Sequence, residues 1–269
     1  MKIIKDGITA PKGFMANGLW CGIKKSGKPD LSLIYSTVPA VAAGVFTKNS
    51  IVAAPLVVTK QKIKDHQAQA IITNSGNANC FTGKRGLLHA KKTCDIIARL
   101  LNISSHDVLV SSTGIIGKPL PFEKIKGSAS NLVQGLSTTK GHLAAKGILT
   151  TDLATKEMAV AINIGGSEVK IGAMAKGSGM IAPNMATMLA YITTDLAINA
   201  KMLKIALKNA CEQSFNSITI DNCMSTNDMV IVLANGLAKR KTITTRDQNF
   251  KAFQKDRKST RLNSSHVAL

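Results

Sequence analysis

Apolar positions recur along this chain with two periods. Gly86 to Leu101 sets leucines and lysines at helical spacing, and the pattern predicts a helix there. Ile198 to Gln213 is the clearest helix. Met202, Leu203, Ala206, Leu207 and Ala210 share one side of it, and lysines share the other. Pro121 to Leu136 reads as a further helix. Shorter apolar runs read as strands: Val38 to Phe46, Ala53 to Val58, Ala70 to Thr73, Asp107 to Val110 and Met188 to Ile192. Met158 to Ile164 and Glu168 to Ala173 read as two strands joined at Gly165-Gly166, a hairpin. Ala144 to Thr150 is ambiguous, and Val230 to Ala234 fits a strand or a helix. Strands interleaved with helices predict a layered α/β protein. Two strands end in polar, glycine-bearing segments. Ala70 to Thr73 exits through Asn74 to Asn79, and Asp107 to Val110 delivers Ser111-Ser112-Thr113-Gly114.

Composition narrows this picture. With 269 residues the chain can form one large domain or two small ones. Hydrophobic residues make up 45% and aromatics 4%, so the core must rest on Ile, Leu, Val, Ala and Met. The 21 glycines cluster where a backbone can turn tightly or approach a ligand. The formal charge is +20, from 35 basic and 15 acidic residues. The lysines are scattered, with no arginine-rich stripe and few aromatic platforms for bases, which argues against a nucleic-acid interface. A solvated basic surface that attracts carboxylate substrates or acetyl-coenzyme A is the plainer account. Cysteines stand at 21, 80, 94, 211 and 223, an odd number with no CxxC pair. The start carries no apolar run behind a basic segment. Both features predict a cytoplasmic chain without a disulfide framework. The run Met158 to Ile164 is too short to span a membrane. The five histidines are unclustered and suggest neither a metal site nor a histidine-based triad.

The segment Lys176 to Asp195, KGSGMIAPNMATMLAYITTD, carries the most specific chemistry. Thr187 follows Ala186 behind a turn shaped by Gly177, Gly179 and Pro183. An internal threonine is a poor nucleophile, since no base adjoins its hydroxyl. At a chain terminus its own α-amine takes the proton. Cleavage between Ala186 and Thr187 would therefore turn an inert residue into a catalyst. On chemistry alone, a cap or a packed strand residue remains the plainer reading of Thr187. For Ser112-Thr113-Gly114 it is a turn at a strand end.

The surrounding residues change that weighting. GITAPKGF (Gly7 to Phe14), VFTKN (Val45 to Asn49), AAP (Ala53 to Pro55), NSGNAN (Asn74 to Asn79) and STGIIG (Ser112 to Gly117) form an ordered set of blocks. TTD (Thr150 to Asp152), KGSGMIAPNMATML (Lys176 to Leu189), FNSITID (Phe215 to Asp221) and STND (Ser225 to Asp228) continue it. In these blocks the chain resembles the ornithine acetyltransferases, also called glutamate N-acetyltransferases, over roughly residues 7 to 250. The resemblance implies a sandwich of helices outside two sheets, self-processing in the N-terminal-nucleophile manner, with the nucleophile starting a strand. It implies self-cleavage at Ala186–Thr187 into an α chain, 1–186, and a β chain from Thr187, the two assembling as a heterotetramer. It implies Thr187 as nucleophile, Thr113 and Gly114 as oxyanion hole, and Thr150, Lys176 and Thr187 as substrate-binding residues. The reaction implied moves an acetyl group from N2-acetylornithine to glutamate through an acetyl-threonine ester. No bound cofactor is expected, and acetyl-coenzyme A is a possible co-substrate. The competing functions are an N-terminal-threonine amidase or aminopeptidase, which passes the acyl group to water, and a basic nucleic-acid-binding module.

Two departures accompany the resemblance. Asp221-Asn222-Cys223 stands where the family has aspartate-glycine-aspartate. The resemblance fades after about Phe253, so the expectation is an incomplete domain, 1–253, followed by a foreign or disordered tail, 254–269. The glutamate, asparagine and threonine that help to bind the amino-acid substrate later in the family have no counterparts here.

Overall fold

The computed structural model describes residues 1–177, 188–213 and 225–257. Its strands are β1 (Lys2–Ile4), β2 (Phe14–Leu19), β3 (Leu31–Phe46), β4 (Gln67–Asn77), β5 (Val108–Ile115), β6 (Lys156–Ile164), β7 (Ser167–Lys176), β8 (Leu189–Thr194) and β9 (Met229–Ala234). Its helices are α1 (Ala54–Lys62), α2 (Gly83–Leu101), α3 (Phe122–Gln134), α4 (Gly141–Ile148), α5 (Ala200–Gln213) and α6 (Gln248–Arg257). The strands join one mixed sheet in the order β1-β6-β7-β8-β9-β3-β4-β5, with β2 paired to β3. The pairs β4–β5 and β8–β9 are parallel, and the others are antiparallel.

This sheet is folded over on itself. The Tyr191 hydroxyl of β8 meets Ser111 Oγ of β5 at 2.5 Å and Thr73 Oγ1 of β4 at 2.9 Å. In a flat sheet β8 and β4, three strands apart, would be separated by about 14 Å at ~4.8 Å per strand. The fold runs along β3, whose register with β4 shifts between Tyr35 and Ala40. Before that shift, Leu31, Leu33 and Tyr35 face outward onto the core of β4, β5, α2 and α3. After it, Val41, Ala43 and Val45 face outward onto the core of β6–β9, α5 and α6. Ile34, Ala40 and Ala42 face the interior shared by both layers, with Ile71, Leu109, Leu189, Tyr191 and Ile231. The layers are thus helix, sheet, sheet, helix, as expected. The difference is that the two sheet layers are halves of one sheet that shares the 16-residue β3.

Several local expectations are met and some are corrected. The hairpin of β6 and β7 turns at Gly165-Gly166, both with positive φ. Ala53 to Val58, read as a strand, instead begins α1. Pro55 lies in that helix's first turn, where a missing N–H costs nothing, and Pro55, Leu56, Val58 and Thr59 form its buried face. The ambiguous Ala144 to Thr150 contributes most of α4, which buries Ala144, Ala145 and Ile148. Val230 to Ala234 is a central strand buried on both faces. Helix α6 crosses the boundary expected at 253/254, and Phe253 is fully buried against β6 and α5. Residues 258–269 lie outside the described residues. No helix among the described residues is long and apolar enough to cross a membrane.

Candidate active site

Parallel strands leave a sheet on the same side, so the exits of β4 and β5 lie together. Gly76 pairs with Gly114 across them. Gly114 has φ +131°, and a Cβ there would stand 2.4 Å from the carbonyl carbon of Gly76, so the two backbones touch with no room for a side chain. Ser112 Oγ donates to Asn74 Oδ1 at 2.6 Å, and Asn74 Nδ2 donates to the Asn77 carbonyl at 2.8 Å. Asn77 Nδ2 reaches the carbonyls of Lys118 and Pro119, and Asn79 Nδ2 that of Gly86. The asparagines of this segment therefore act as scaffolding. Asn227 adds a crossbrace, with Nδ2 donating to the carbonyls of Ala78 and Ser112 at 2.8 Å each. Thr113, buried, is held between these bonds.

The second half of the site stands at the end of β7. Lys176 is 3% exposed, and its Nζ donates to Thr150 Oγ1 at 3.2 Å. Burial pushes its pKa down, against the pull of Asp152 and Asp228, while Lys156 adds repulsion. Asp152 accepts from the Gly177 amide at 2.7 Å and from Lys156 Nζ at 3.2 Å. Lys156 Nζ also donates to the Gly177 carbonyl. Thr150 follows α4, whose Gly147 carbonyl accepts from Ser75 Oγ at 2.6 Å. Ser75 adjoins Gly76, so Thr150 and Lys176 are tethered to the strand exits that carry Thr113 and Gly114.

Lys24 lies over the same point. A Cβ on Gly76 would meet Lys24 Cγ at 3.1 Å. The loop bearing Lys24 is built on the fully buried Asp30, whose carboxylate accepts from the amides of Cys21 at 2.6 Å and Lys24 at 2.8 Å. Burial lowers the Lys24 pKa to about 8; Asp30 and Asp152 raise it, whereas Lys28 and Lys176 lower it further.

The third contributor is Asp228, at the entry to β9. Its Oδ1 accepts from the Met188 amide at 2.8 Å, immediately before β8. Its Oδ2 is buried and has no hydrogen-bond partner among the described residues. Burial raises its pKa to about 7, although the Met188 amide, Ser225 and Lys176 favour the charged form. Ala186, Thr187, Asn222 and Cys223 lie outside the described residues.

Thr150 and Lys176 are thus in direct contact, and Thr113 and Gly114 sit on the adjoining strand exit. Lys24, Lys156, Asp152, Asn227 and Asp228 were not singled out by residue chemistry. Asp152 and Asp228 do stand in TTD and STND, two of the blocks that carry the resemblance, and that was the available signal. Lys24 sits in an irregular loop with none. The assembly is a mostly buried cluster of three ammonium groups and two carboxylates beside a hydroxyl and a glycine backbone, suited to holding a carboxylate and to stabilising negative charge on oxygen.

The profile of the ArgJ family matches residues 15–262. The arginine biosynthesis bifunctional protein ArgJ of Symbiobacterium thermophilum is 46% identical over 255 residues, which are 94% of this chain and 63% of that protein. The chain therefore spans less than two thirds of that relative's length. Among solved structures, an arginine biosynthesis bifunctional protein ArgJ from Bacillus halodurans superposes with a TM-score of 0.64 at 39% identity, covering 68% of this chain and 97% of that one. An ornithine acetyltransferase complexed with ornithine from Mycobacterium tuberculosis gives a TM-score of 0.64 at 36% identity, covering 70% of this chain and 99% of that one. An l-aminopeptidase d-Ala-esterase/amidase from Ochrobactrum anthropi, described as a variant of the Ntn hydrolase fold, shares the fold alone, at 12% identity and a TM-score of 0.54 over 96% of this chain and 85% of that one.

Proposed function

Since the chain belongs to the ArgJ family, we propose that it serves acetyl transfer in arginine biosynthesis, from N2-acetylornithine to glutamate, with Thr187 as the nucleophile. The observation that carries this reading is the contact of Lys176 with Thr150 at 3.2 Å, beside the strand that begins two residues after Thr187. The ammonium and the hydroxyl can hold the α-carboxylate that acetylornithine and glutamate share.

The reaction runs as a double displacement. The Thr187 hydroxyl attacks the acetyl carbonyl and its proton passes to the departing amine, so that ornithine leaves and an acetyl-threonine ester remains. The glutamate amine then attacks the ester and returns the proton to Thr187. Both tetrahedral intermediates carry an oxyanion, which the Thr113 hydroxyl and the Gly114 amide receive. Thr187 is first released as a chain terminus, when its hydroxyl attacks the Ala186 carbonyl and water resolves the ester. The coverage of the solved relatives supports this step. The matched segments, 68% and 70% of 269 residues, amount to about 183 and 188 residues and nearly exhaust those solved chains, close to the length of 1–186. Assembly of the two fragments as a heterotetramer, a cytoplasmic setting and use of acetyl-coenzyme A as a second acetyl donor belong to the same proposal.

Intact-mass analysis with N-terminal sequencing tests it. A second chain beginning at Thr187 is expected, and Thr187→Ala should keep the precursor whole. An uncleaved chain that still transfers acetyl groups would overturn the reading, as would release of free acetate in place of acetylglutamate.

A further inference from the structure

The reaction proposed above asks one site to accept two opposite charges. Donor and acceptor share an α-carboxylate, but the side chain of N2-acetylornithine ends in an ammonium and that of glutamate in a carboxylate. Thr150 and Lys176 account for the shared end only. The loop between β2 and β3 offers a group for the other end. Asp30, fully buried, accepts from the Cys21 amide at 2.6 Å and the Lys24 amide at 2.8 Å, and its carbonyl accepts from the Ser75 amide at 2.8 Å. The Trp20 indole N–H donates to the Lys24 carbonyl at 2.8 Å. The backbone of Lys24 is thus held at both its amide and its carbonyl, and its loop is tied to the exit of β4.

Gly76 joins Lys24 to the residues read as the oxyanion hole. A Cβ on Gly76 would meet Lys24 Cγ at 3.1 Å, and a Cβ on Gly114 would meet Gly76 Cα at 2.7 Å. The Lys24 stem therefore lies one glycine away from Gly114. Lys24 Nζ donates to the Pro29 carbonyl at 2.7 Å. An ammonium has three donors, so two remain for a ligand. By standard bond lengths, the side-chain carboxyl carbon of an extended glutamate stands about 5 Å from its amine nitrogen, and a lysine Nζ stands about 4 Å from its own Cγ. An acceptor whose amine attacks an acetyl carbonyl at Gly114 thus brings its second carboxylate within the sweep of a lysine rooted beside Gly76.

We propose that Lys24 determines the choice of acceptor: its ammonium receives the side-chain carboxylate of glutamate. The inference rests on the reading of the reaction as transfer from N2-acetylornithine to glutamate. The charged groups that face Lys24 are Asp30 and Lys28 from its own loop, and Asp152 and Lys176 from across the site. Lys124 of α3 donates to the nearby Gly22 carbonyl. Asp30 is committed to two backbone amides, so it attracts Lys24 without occupying its donors. The donor substrate makes the opposite demand, because its side-chain ammonium is repelled by a second cation. Burial leaves the Lys24 pKa at about 8. The ammonium therefore gives up its proton at little cost when the ornithine side chain stands beside it, and regains one when glutamate does.

Glutamine, which is glutamate with an uncharged side chain, supplies the test. Acetyl-transfer kinetics with each acceptor should show a preference for glutamate of at least about tenfold in kcat/KM, the worth of a charge-assisted hydrogen bond. Lys24→Met should raise the KM for glutamate by about tenfold and leave those for glutamine and N2-acetylornithine nearly unchanged. Lys24→Arg should keep the preference. As pH rises past about 8 the preference should fall in the wild-type chain, where the ammonium is lost, and persist in Lys24→Arg, whose guanidinium stays charged. The ratio of the two acceptors cancels the titration of the attacking amine, which they share. A wild-type chain without the preference, a preference that survives Lys24→Met, or a variant that weakens both acceptors alike overturns the inference. If Lys24→Met does not fold, the pH profiles of the wild-type and Lys24→Arg chains decide, and parallel profiles overturn it. If neither acceptor is acetylated, the reading of the reaction falls. Calorimetry of glutamate and glutamine binding to the same chains then decides the inference alone: a glutamate preference lost in Lys24→Met supports it, and equal binding overturns it.

Discussion

Replacing Gly114 by alanine should damage the paired exits of β4 and β5 through one collision whose size can be worked out in advance. The added Cβ would stand 2.4 Å from Gly76 C, 2.5 Å from Asn77 N and 2.7 Å from Gly76 Cα. Carbon atoms in contact prefer about 3.5–4.0 Å, so one strand exit must move by about 1 Å. All three obstacles are backbone and cannot swing aside. Overpacking of this kind costs about 1–3 kcal/mol. Alanine at φ +131° adds about 1–3 kcal/mol of backbone strain. The two together predict a loss of about 2–6 kcal/mol. Gly117 supplies the control. It lies on the same loop at φ +79° with nothing within 4 Å of its would-be Cβ. Gly117→Ala should therefore pay the strain alone, about 1–2 kcal/mol. Urea unfolding followed by far-ultraviolet circular dichroism measures both. If Gly114→Ala costs no more than Gly117→Ala, the strand exits are not packed backbone to backbone, and the geometry described for them is wrong.

Thr113→Val keeps the size of the side chain and removes one donor, so cleavage or acetylation should slow by about 3 kcal/mol, roughly a hundredfold, with the melting temperature nearly unchanged; an unchanged rate removes Thr113 from the hole. Tyr191→Phe deletes a buried hydroxyl bonded to Ser111 and Thr73, but those two also bond each other at 2.7 Å and stay partnered. Its cost should stay near 1 kcal/mol, and a loss above about 3 kcal/mol would mean that the phenol does more than join the layers. Asp228 gives a pH dependence. Its native pKa of about 7 exceeds the ordinary 3.8, so between those values the uncleaved native chain holds a proton that the unfolded chain has released. Stability should therefore fall as pH rises from about 4 to 7 and level off above, by a few kcal/mol from this group. Asp228→Asn, compared in the Thr187→Ala background by urea midpoints across that range, should flatten the slope. Parallel curves for the two chains would refute the assignment.

Legibility in the sequence followed the range of the interactions involved. Helices α2, α3 and α5 announce themselves because each has one apolar face against one layer, and that face repeats locally. The hairpin of β6 and β7 is legible because its turn residues are adjacent to its strands. Helix α1 was misread because a nine-residue helix with a proline in its first turn buries four of its first six residues, and such a run looks like a strand. The two sheet layers were expected from the resemblance, but that one sheet supplies both was not legible. It depends on β3 serving both layers, and nothing in the alternation of Leu31 to Phe46 says that its outward side chains meet α2 and α3 before the register shift and α5 after it.

The site divides along the same line. Thr113, Gly114, Thr150 and Lys176 were reached through ordered blocks of residues, and the structure explains why those blocks sit far apart in the chain. Asn74 to Asn77 and Ser112 to Ile115 must exit side by side because β4 and β5 are parallel, and Asn227 binds both exits from a third segment. Lys24 escaped notice because a lone charged residue in a loop carries no periodic signal, whereas Asp228 stood in the STND block without being given a role. What marks them is burial against other charges, a property of the folded chain alone. In a protein with 15 acidic residues against 35 basic ones, a carboxylate kept from solvent beside Lys176 is an expensive arrangement. Asp228 Oδ1 holds the Met188 amide at 2.8 Å, so that cost is borne at the residue that fixes the start of β8.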